Sequence, residues 1–408
     1  MVLKHGILFA IPVDEVSPNA YFARLESIHL VRSVTFVTRS QSRPSGNEDT
    51  ELDALLQAQH NTNFKSEYGF LPFWRLVITY DSDLREAFTA SFIFHHAIGD
   101  GAAGLIFHKE FQNALNTVFS SDLKRGSGGT VVCAPNDIKL LPPIEELHPL
   151  PINNTPEHPA PHGIKQWTGG LIRAPCVTHY RTLYVSPIVS QAFIQQCKKL
   201  GLSVTAAIPS IIAKEFFDVL SGDVDALTCI IPVNLRPWLD LPDSGNAIGT
   251  FIDAFKVSLR RSDHVINEDN TPLIPLGASG TSKEIAKYLT ENLSPTGEPY
   301  TAIAVFKTIP DVAMVFNSTL GKPRDAAFEV SNLGAFTGAA AAGEDAPWQL
   351  GRTIFSRSSV VSGAAVTMSL VSGGDGGLNM GFSWQEGVID DGVVDKLIQG
   401  VRRHFEPE

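Results

Sequence analysis

The sequence predicts a mixed α/β fold of more than one lobe, rather than a doubly wound sheet. Three observations carry that expectation. Strand-like and helix-like stretches intermix along the chain without a strict βαβ rhythm. The 408 residues are 43% hydrophobic, with a mean hydropathy of +0.04, enough to bury the cores of two or three lobes. Finally, Phe92 to Phe111 reads as strand, tight turn and helix, with the turn written HHAIGDG.

In order, the chain begins with a short apolar run, Gly6 to Val13, followed by Asp14 and Glu15. It lacks a small-residue cleavage pattern and does not read as a signal peptide. Ile28 to Val37 alternates in part and predicts a strand. Gln41 to Asp49, with Pro44 and Gly46, predicts a surface loop. Thr50 to His60 predicts a helix whose Leu52, Leu55 and Leu56 share a face. Phe73 to Tyr80 and Glu86 to His95 predict a hairpin through Asp81-Ser82-Asp83, ending on the two histidines. Ala103, Ile106, Phe107, Phe111, Leu115 and Phe119 then recur at helical spacing.

Residues 120–170 are rich in glycine and proline and predict a long crossover. Arg181 to Val185 predicts a strand. Ser186 to Lys199 predicts a helix burying Ile188, Phe193 and Ile194. A further helix is predicted from a Thr205 cap to about Leu220. Strands are expected at Ala226 to Val233 and 250–259. Residues 262–281 read as loop, and 281–293 and 300–317 as helical. The C-terminal strands are Phe328 to Asn332, Thr353 to Val361, Ala364 to Val371 and Leu378 to Trp384. Asp390 to Phe405 predicts a closing amphipathic helix.

A net charge of -11 argues against a nucleic-acid surface. No apolar run approaches the ~18 residues of a membrane span. Cys133, Cys176, Cys197 and Cys229 are widely spaced and read as reduced thiols of a cytoplasmic protein.

Chemistry concentrates in HHAIGDG. His96 ends the strand, and a neutral imidazole is the natural general base near neutral pH. Asp100 can orient that ring or pair with an arginine to hold the turn. Gly99 and Gly101 allow tight backbone geometry. The bland reading, two core histidines before an Asp-Gly turn, stays open for the residues taken singly. A metal site at His95, His96, Asp100 and His108 is not expected, since no second ligand cluster and no HExxH is present. No GxSxG elbow appears, and GGDGG at 373–377 lacks the ending of a phosphate loop and reads as a tight hairpin.

HHAIGDG at 95–101 resembles the HHxxxDG motif of the chloramphenicol acetyltransferase-like superfamily. That group includes BAHD acyltransferases, condensation domains of peptide synthetases and fungal alcohol O-acetyltransferases. PFWRLVI at 72–78, IPVNLRPWL at 231–239, NAIGTFIDAF at 246–255, FEVSNLGAF at 328–336 and GGDGGLNMGFSW at 373–384 resemble the fungal group's strands in the same order. The DFGWG motif of the plant type is absent. KHGIL at 4–8 resembles a region near the end of the family's first long helix, so the chain is expected to be shortened at its start.

The resemblance implies two chloramphenicol acetyltransferase-like lobes with mixed sheets and an interface tunnel. The N-terminal lobe would span 1–150, a crossover 151–175 and the C-terminal lobe 176–408. It implies a transferase acting on groups other than amino-acyl, with acetyl-CoA or another acyl-CoA as co-substrate and no permanently bound cofactor or metal. The acceptor would be a small-molecule alcohol of secondary metabolism, and the chain a monomer. By the family's pattern His96 is the base and Asp100 is structural, with Arg236 its partner from the other lobe. His95 is a secondary candidate. Ser331 and Asn332 are candidates for the oxyanion donor, although a strand end with a turn explains them as well. Lys307, Lys322 and Arg324 are candidates for the CoA phosphates, against the reading of each as an ordinary solvated residue. Two other readings keep the fold: condensation or cyclisation on a carrier protein, and a binding module without catalysis.

Overall fold

A computed structural model describes residues 2–41, 48–82, 87–120, 129–150, 163–264, 274–291, 302–338 and 346–406. Asp83, Glu86, most of the 41–49 loop and residues 121–128 and 151–162 of the crossover lie outside them, as do 265–273 and 292–301.

The N-terminal part opens with two small pairings. Strand β1 (Ala10–Val13) pairs with β2 (Tyr21–Arg24), and β3 (Ser27–His29) pairs with the distant β7 (Val131–Cys133). One helical turn, α1 (Leu30–Ser33), separates β3 from β4 (Val34–Thr38), so the strand expected over Ile28 to Val37 is broken. Strands β4, β5 (Trp74–Tyr80) and β6 (Phe88–Phe94) form a three-stranded sheet in that order. The hairpin β5–β6 pairs Trp74 with Phe94, so both strands end beside the histidines. Helix α2 (Thr50–His60) starts on Asp49, whose carboxylate accepts from the Leu52 amide. Helix α3 (Gly101–Ser120) follows the motif. Leu8, Phe9, Ile28, Phe73, Trp74, Ile98, Ile106 and Phe107 share one buried core.

The C-terminal lobe is built on a six-stranded mixed sheet. After the short α4 (Ile144–Leu147) come β8 (Thr178–Val185), α5 (Pro187–Lys199), α6 (Val204–Val219), β9 (Ala226–Asn234) and β10 (Ile252–Arg260). Then follow α7 (Gly277–Glu291), α8 (Val312–Asn317), β11 (Ala326–Ala335), β12 (Ala364–Ser372), β13 (Leu378–Gln385) and α9 (Asp391–Phe405). The strand order is β10-β9-β11-β12-β13-β8, with β11 parallel to both neighbours and the other pairs antiparallel. Helices α5, α6 and α9 cover one face. There Phe193, Phe216 and Leu397 meet Phe328, Met368 and Phe382.

Several boundaries differ from expectation. Ser203 caps α6 in place of Thr205, accepting from the Ala206 amide at 3.1 Å. Ile188 sits in the first turn of α5 and is 84% exposed, while Phe193 and Cys197 form the buried side. Thr353 to Val361 forms no strand. Both edges of β12 are already taken by β11 and β13. The segment instead lies over the sheet face as a strap. Ser383 Oγ donates to the Arg357 carbonyl, and Thr178 Oγ1 accepts from the Ser359 amide.

The two lobes are stitched along the edge of β8. Asp53 accepts from the Thr182 amide (3.0 Å), Gln57 from the Tyr180 amide (2.9 Å) and Asn61 from the Thr178 amide (2.8 Å). Four residues of helix rise about 6 Å and two of strand about 6.6 Å, so side chains at every fourth helical position meet every second strand residue. The edge strand is thereby capped rather than left open. Among the described residues no single helix is long and apolar enough to cross a membrane.

Candidate active site

The last residues of β6 hand the chain to a turn that both lobes hold. Asp100 is 3% exposed. Its Oδ1 accepts from the Ala103 amide (3.0 Å), capping the first turn of α3. Its Oδ2 accepts from the Phe251 amide (2.9 Å) and from Arg236 Nη1 (2.8 Å). Arg236 makes three further hydrogen bonds, to the Asn234 side chain and to the Ala247 and Gly249 carbonyls. The Thr250 hydroxyl donates to the His96 carbonyl at 2.7 Å. Thus the 247–251 loop of one lobe wraps the HHAIGDG turn of the other. A buried ion pair of this kind needs further hydrogen bonds to offset desolvation, and here Asp100 accepts three and Arg236 donates four. An added Cβ on Gly101 would lie 2.7 Å from Leu333 and 2.9 Å from Phe355, so glycine permits the close approach of the lobes.

The His96 ring is fixed by its own turn. Its Nδ1 lies 2.9 Å from the Gly99 carbonyl oxygen. A carbonyl only accepts, so Nδ1 carries the proton and the neutral ring keeps its lone pair on Nε2. His95 is held differently. Its Nδ1 accepts from the Ala97 amide (3.1 Å), and its ring packs edge-on to Phe73 and Phe64. Burial is the main cause that lowers its pKa, opposed by Glu15 and reinforced by His96 and Lys65.

Both histidines line a cavity of about 1240 Å³ between the sheets. Its walls come from β6 and α3 on one side, and from β9, β10, β11 and the strap on the other. Along α3 the lining residues run from Gly101 to Leu115, a rise of roughly 20 Å. The volume suits a drug-sized ligand and more. The arginines on its walls, Arg352 and Arg357, sit beside carboxylates. Arg357 pairs with Glu329 and donates to Ser369 Oγ and the Met368 carbonyl. Arg352 lies over the Tyr184 ring, with Asp375 3.8 Å from its Nε.

The site residues expected from sequence divide into two groups. His95, His96, Asp100, Gly101 and Ser331 line the cavity, and Arg236 supports it from behind. Asn332 does not line it. Its Nδ2 donates to Thr205 Oγ1 (3.0 Å) and its Oδ1 accepts from the Gly334 amide (2.9 Å), so it ties β11 to α6 rather than facing an oxyanion. Adjacent strand residues point to opposite faces, so Ser331 and Asn332 could never both face the cavity. The three cations proposed for CoA phosphates also lie elsewhere. Lys307 is tethered to the Pro149 and Leu150 carbonyls, and Lys322 is exposed outside the cavity. Arg324 is buried against Val360, Ala364 and Gln385, and burial lowers its pKa.

Sequence reading missed His60 and His108 as cavity residues with neutral rings. Burial holds each pKa down to about 4, for His60 with help from the charge of Arg357. The period of α3 carried the signal for His108, since Gly101, Gly104, Leu105 and His108 fall on one face.

No family model matches the chain. Among solved structures, it is similar to the TRI3 trichothecene 15-O-acetyltransferase from Fusarium sporotrichioides. The TM-score is 0.67 at 13% identity, covering 99% of this chain and 83% of that one. It is also similar to the first condensation domain of the CDA synthetase, with a TM-score of 0.58 at 10% identity, covering 99% and 84%. The fold is therefore the two-lobed one shared by condensation domains and acetyltransferases. Two sequence relatives narrow the class. The protein named "Probable alcohol acetyltransferase crmB" of Aspergillus fumigatus is 50% identical over 411 residues, covering 100% of this chain and 88% of the relative. FCK4 of Fusarium pseudograminearum, named likewise, is 24% identical over 334 residues, covering 76% and 65%. The chain belongs to this family of fungal alcohol acetyltransferases.

Proposed function

We propose that the protein transfers an acetyl group from acetyl-CoA to the hydroxyl of a small-molecule alcohol, with His96 as general base. The observation that carries the reading is the 2.9 Å contact between His96 Nδ1 and the Gly99 carbonyl, which leaves Nε2 as an acceptor. In a ternary complex Nε2 takes the proton of the acceptor hydroxyl as its oxygen attacks the thioester carbonyl carbon. A tetrahedral oxyanion forms and collapses. The C–S bond breaks, the acetyl ester leaves on the acceptor oxygen, and the imidazolium returns its proton to the CoA sulfur. Ser331, on the cavity face of β11, is the hydroxyl donor we assign to the oxyanion. Asp100 and Arg236 are positioning residues that hold the turn in place.

The test mixes purified protein, acetyl-CoA and a panel of alcohols, and follows free thiol together with acetyl ester. Equal appearance of both, lost in His96→Ala, supports the reading. Thiol release that ignores added alcohol, or transfer that His96→Ala leaves intact, overturns it.

A further inference from the structure

We propose that His108 determines acceptor specificity by hydrogen-bonding a second polar group of the alcohol, a hydroxyl or carbonyl roughly 10 Å from the oxygen being acylated. This rests on the acyl-transfer reading above. Helix α3 begins at the motif and turns one face to the cavity, through Gly101, Gly104, Leu105 and His108. His108 lies seven residues beyond Gly101, a rise of about 10 Å, which places its imidazole about two turns along the cavity wall from the motif turn.

The ring is chemically available. His108 lines the cavity, and neither ring nitrogen has a hydrogen-bond partner among the described residues. Its ring contact is the edge of Phe107 in its own helix. Buried polar groups are paired as a rule, and a group facing a cavity is paired by what enters it. A neutral imidazole offers one donor and one acceptor, so it suits an uncharged polar group rather than a carboxylate or phosphate.

The stretch of wall beyond His108 is aromatic and uncharged. Beyond His108, the rings of Phe88 and Phe111 lie 6.4 Å apart and those of Phe88 and Trp348 5.1 Å apart. Asn116 accepts from the Trp348 amide at 2.9 Å, and Gln112 donates to its carbonyl at 3.0 Å, which fixes the segment leading into the strap against α3. None of these side chains is ionised. The acceptor class that follows is an extended alcohol, largely apolar between its ends, with a hydrogen-bonding group at each end.

The experiment compares 1,7-heptanediol with 1-octanol, which have equal numbers of heavy atoms. Dissociation constants come from ligand-observed NMR, which needs no turnover, and acetyl transfer is measured beside them. His108→Leu is expected to shift the diol-to-octanol affinity ratio about tenfold toward octanol, because the hydrogen bond is lost. His108→Gln, which keeps a neutral donor and acceptor, is expected to retain most of the wild-type ratio. A ratio that stays within about twofold in His108→Leu overturns the assignment. So does an equal loss for the diol in Leu and Gln variants that melt at the wild-type temperature. If the affinity ratio shifts while no alcohol is acetylated, the specificity residue stands and the acetyl-transfer reading falls.

Discussion

Arg236 Nη1 lies 2.8 Å from Asp100 Oδ2, and both side chains are almost wholly buried. The pair joins the motif turn of one lobe to the loop after β9 of the other. Removing one partner leaves an uncompensated buried charge. Asp100→Ala is expected to cost roughly 3–5 kcal/mol of stability and to lower kcat by loosening the turn that holds His96. Urea denaturation and steady-state kinetics check this. A variant with wild-type midpoint and rate contradicts it.

The strap is pinned where the β12–β13 turn passes beneath it. A Cβ on Gly374 would overlap the Leu350 carbonyl oxygen, and Gly374 donates its amide to the Gly351 carbonyl at 3.0 Å. Gly374→Ala must push backbone rather than a flexible side-chain end. It is expected to destabilise by roughly 1–3 kcal/mol and to raise acceptor KM, because Leu350 lines the cavity. A shifted denaturation midpoint with an unchanged KM would place the strap outside the acceptor wall.

Burial holds His60 and His108 at about 4, whereas in the unfolded chain each returns to about 6.5. As pH falls between those values, the unfolded chain binds protons that the folded one refuses. The stabilisation is full above the unfolded value and drains as pH drops toward about 4. From pH 7 to pH 5 each histidine is expected to remove roughly 2 kcal/mol. Urea midpoints at the two pH values measure it, and His60→Gln with His108→Gln should flatten the dependence. An unchanged slope in the double variant contradicts the burial of these rings.

Asn332 and Arg324 are expected to act on stability and not on substrate. Asn332→Ala removes the tie to Thr205 and should cost about 1 kcal/mol. Arg324→Ala strands the Val360 and Ala364 carbonyls and should cost more. In both, the KM for acetyl-CoA should stay within about twofold of wild type. A large rise in that KM would return Arg324 to the donor site.

Local patterns were legible where a single period ruled. The β5–β6 hairpin, the turn and α3 follow from alternation giving way to a three-and-four spacing. The Asp100–Arg236 contact was foreseen through family resemblance, since residues 136 positions apart carry no spacing signal of their own. The strap misled for a physical reason. Thr353 to Val361 is rich in β-branched and aromatic residues as a strand is, but a strand needs a free edge, and sheet order is a property of the whole chain. The placement of Lys307, Lys322 and Arg324 away from the cavity was not legible, because a lysine or arginine reads alike in sequence whether it is tethered, exposed or buried. Asn332 was separable in principle, because strand alternation sends it away from Ser331.

The most direct measurement is the rate of acetyl ester formation from acetyl-CoA and an accepted alcohol, in wild type and in His96→Ala. The account predicts a fall of about two to four orders of magnitude in kcat, with a folded variant that still binds both substrates. A variant that acetylates at the wild-type rate would contradict it, because the proton would then leave the acceptor by another route.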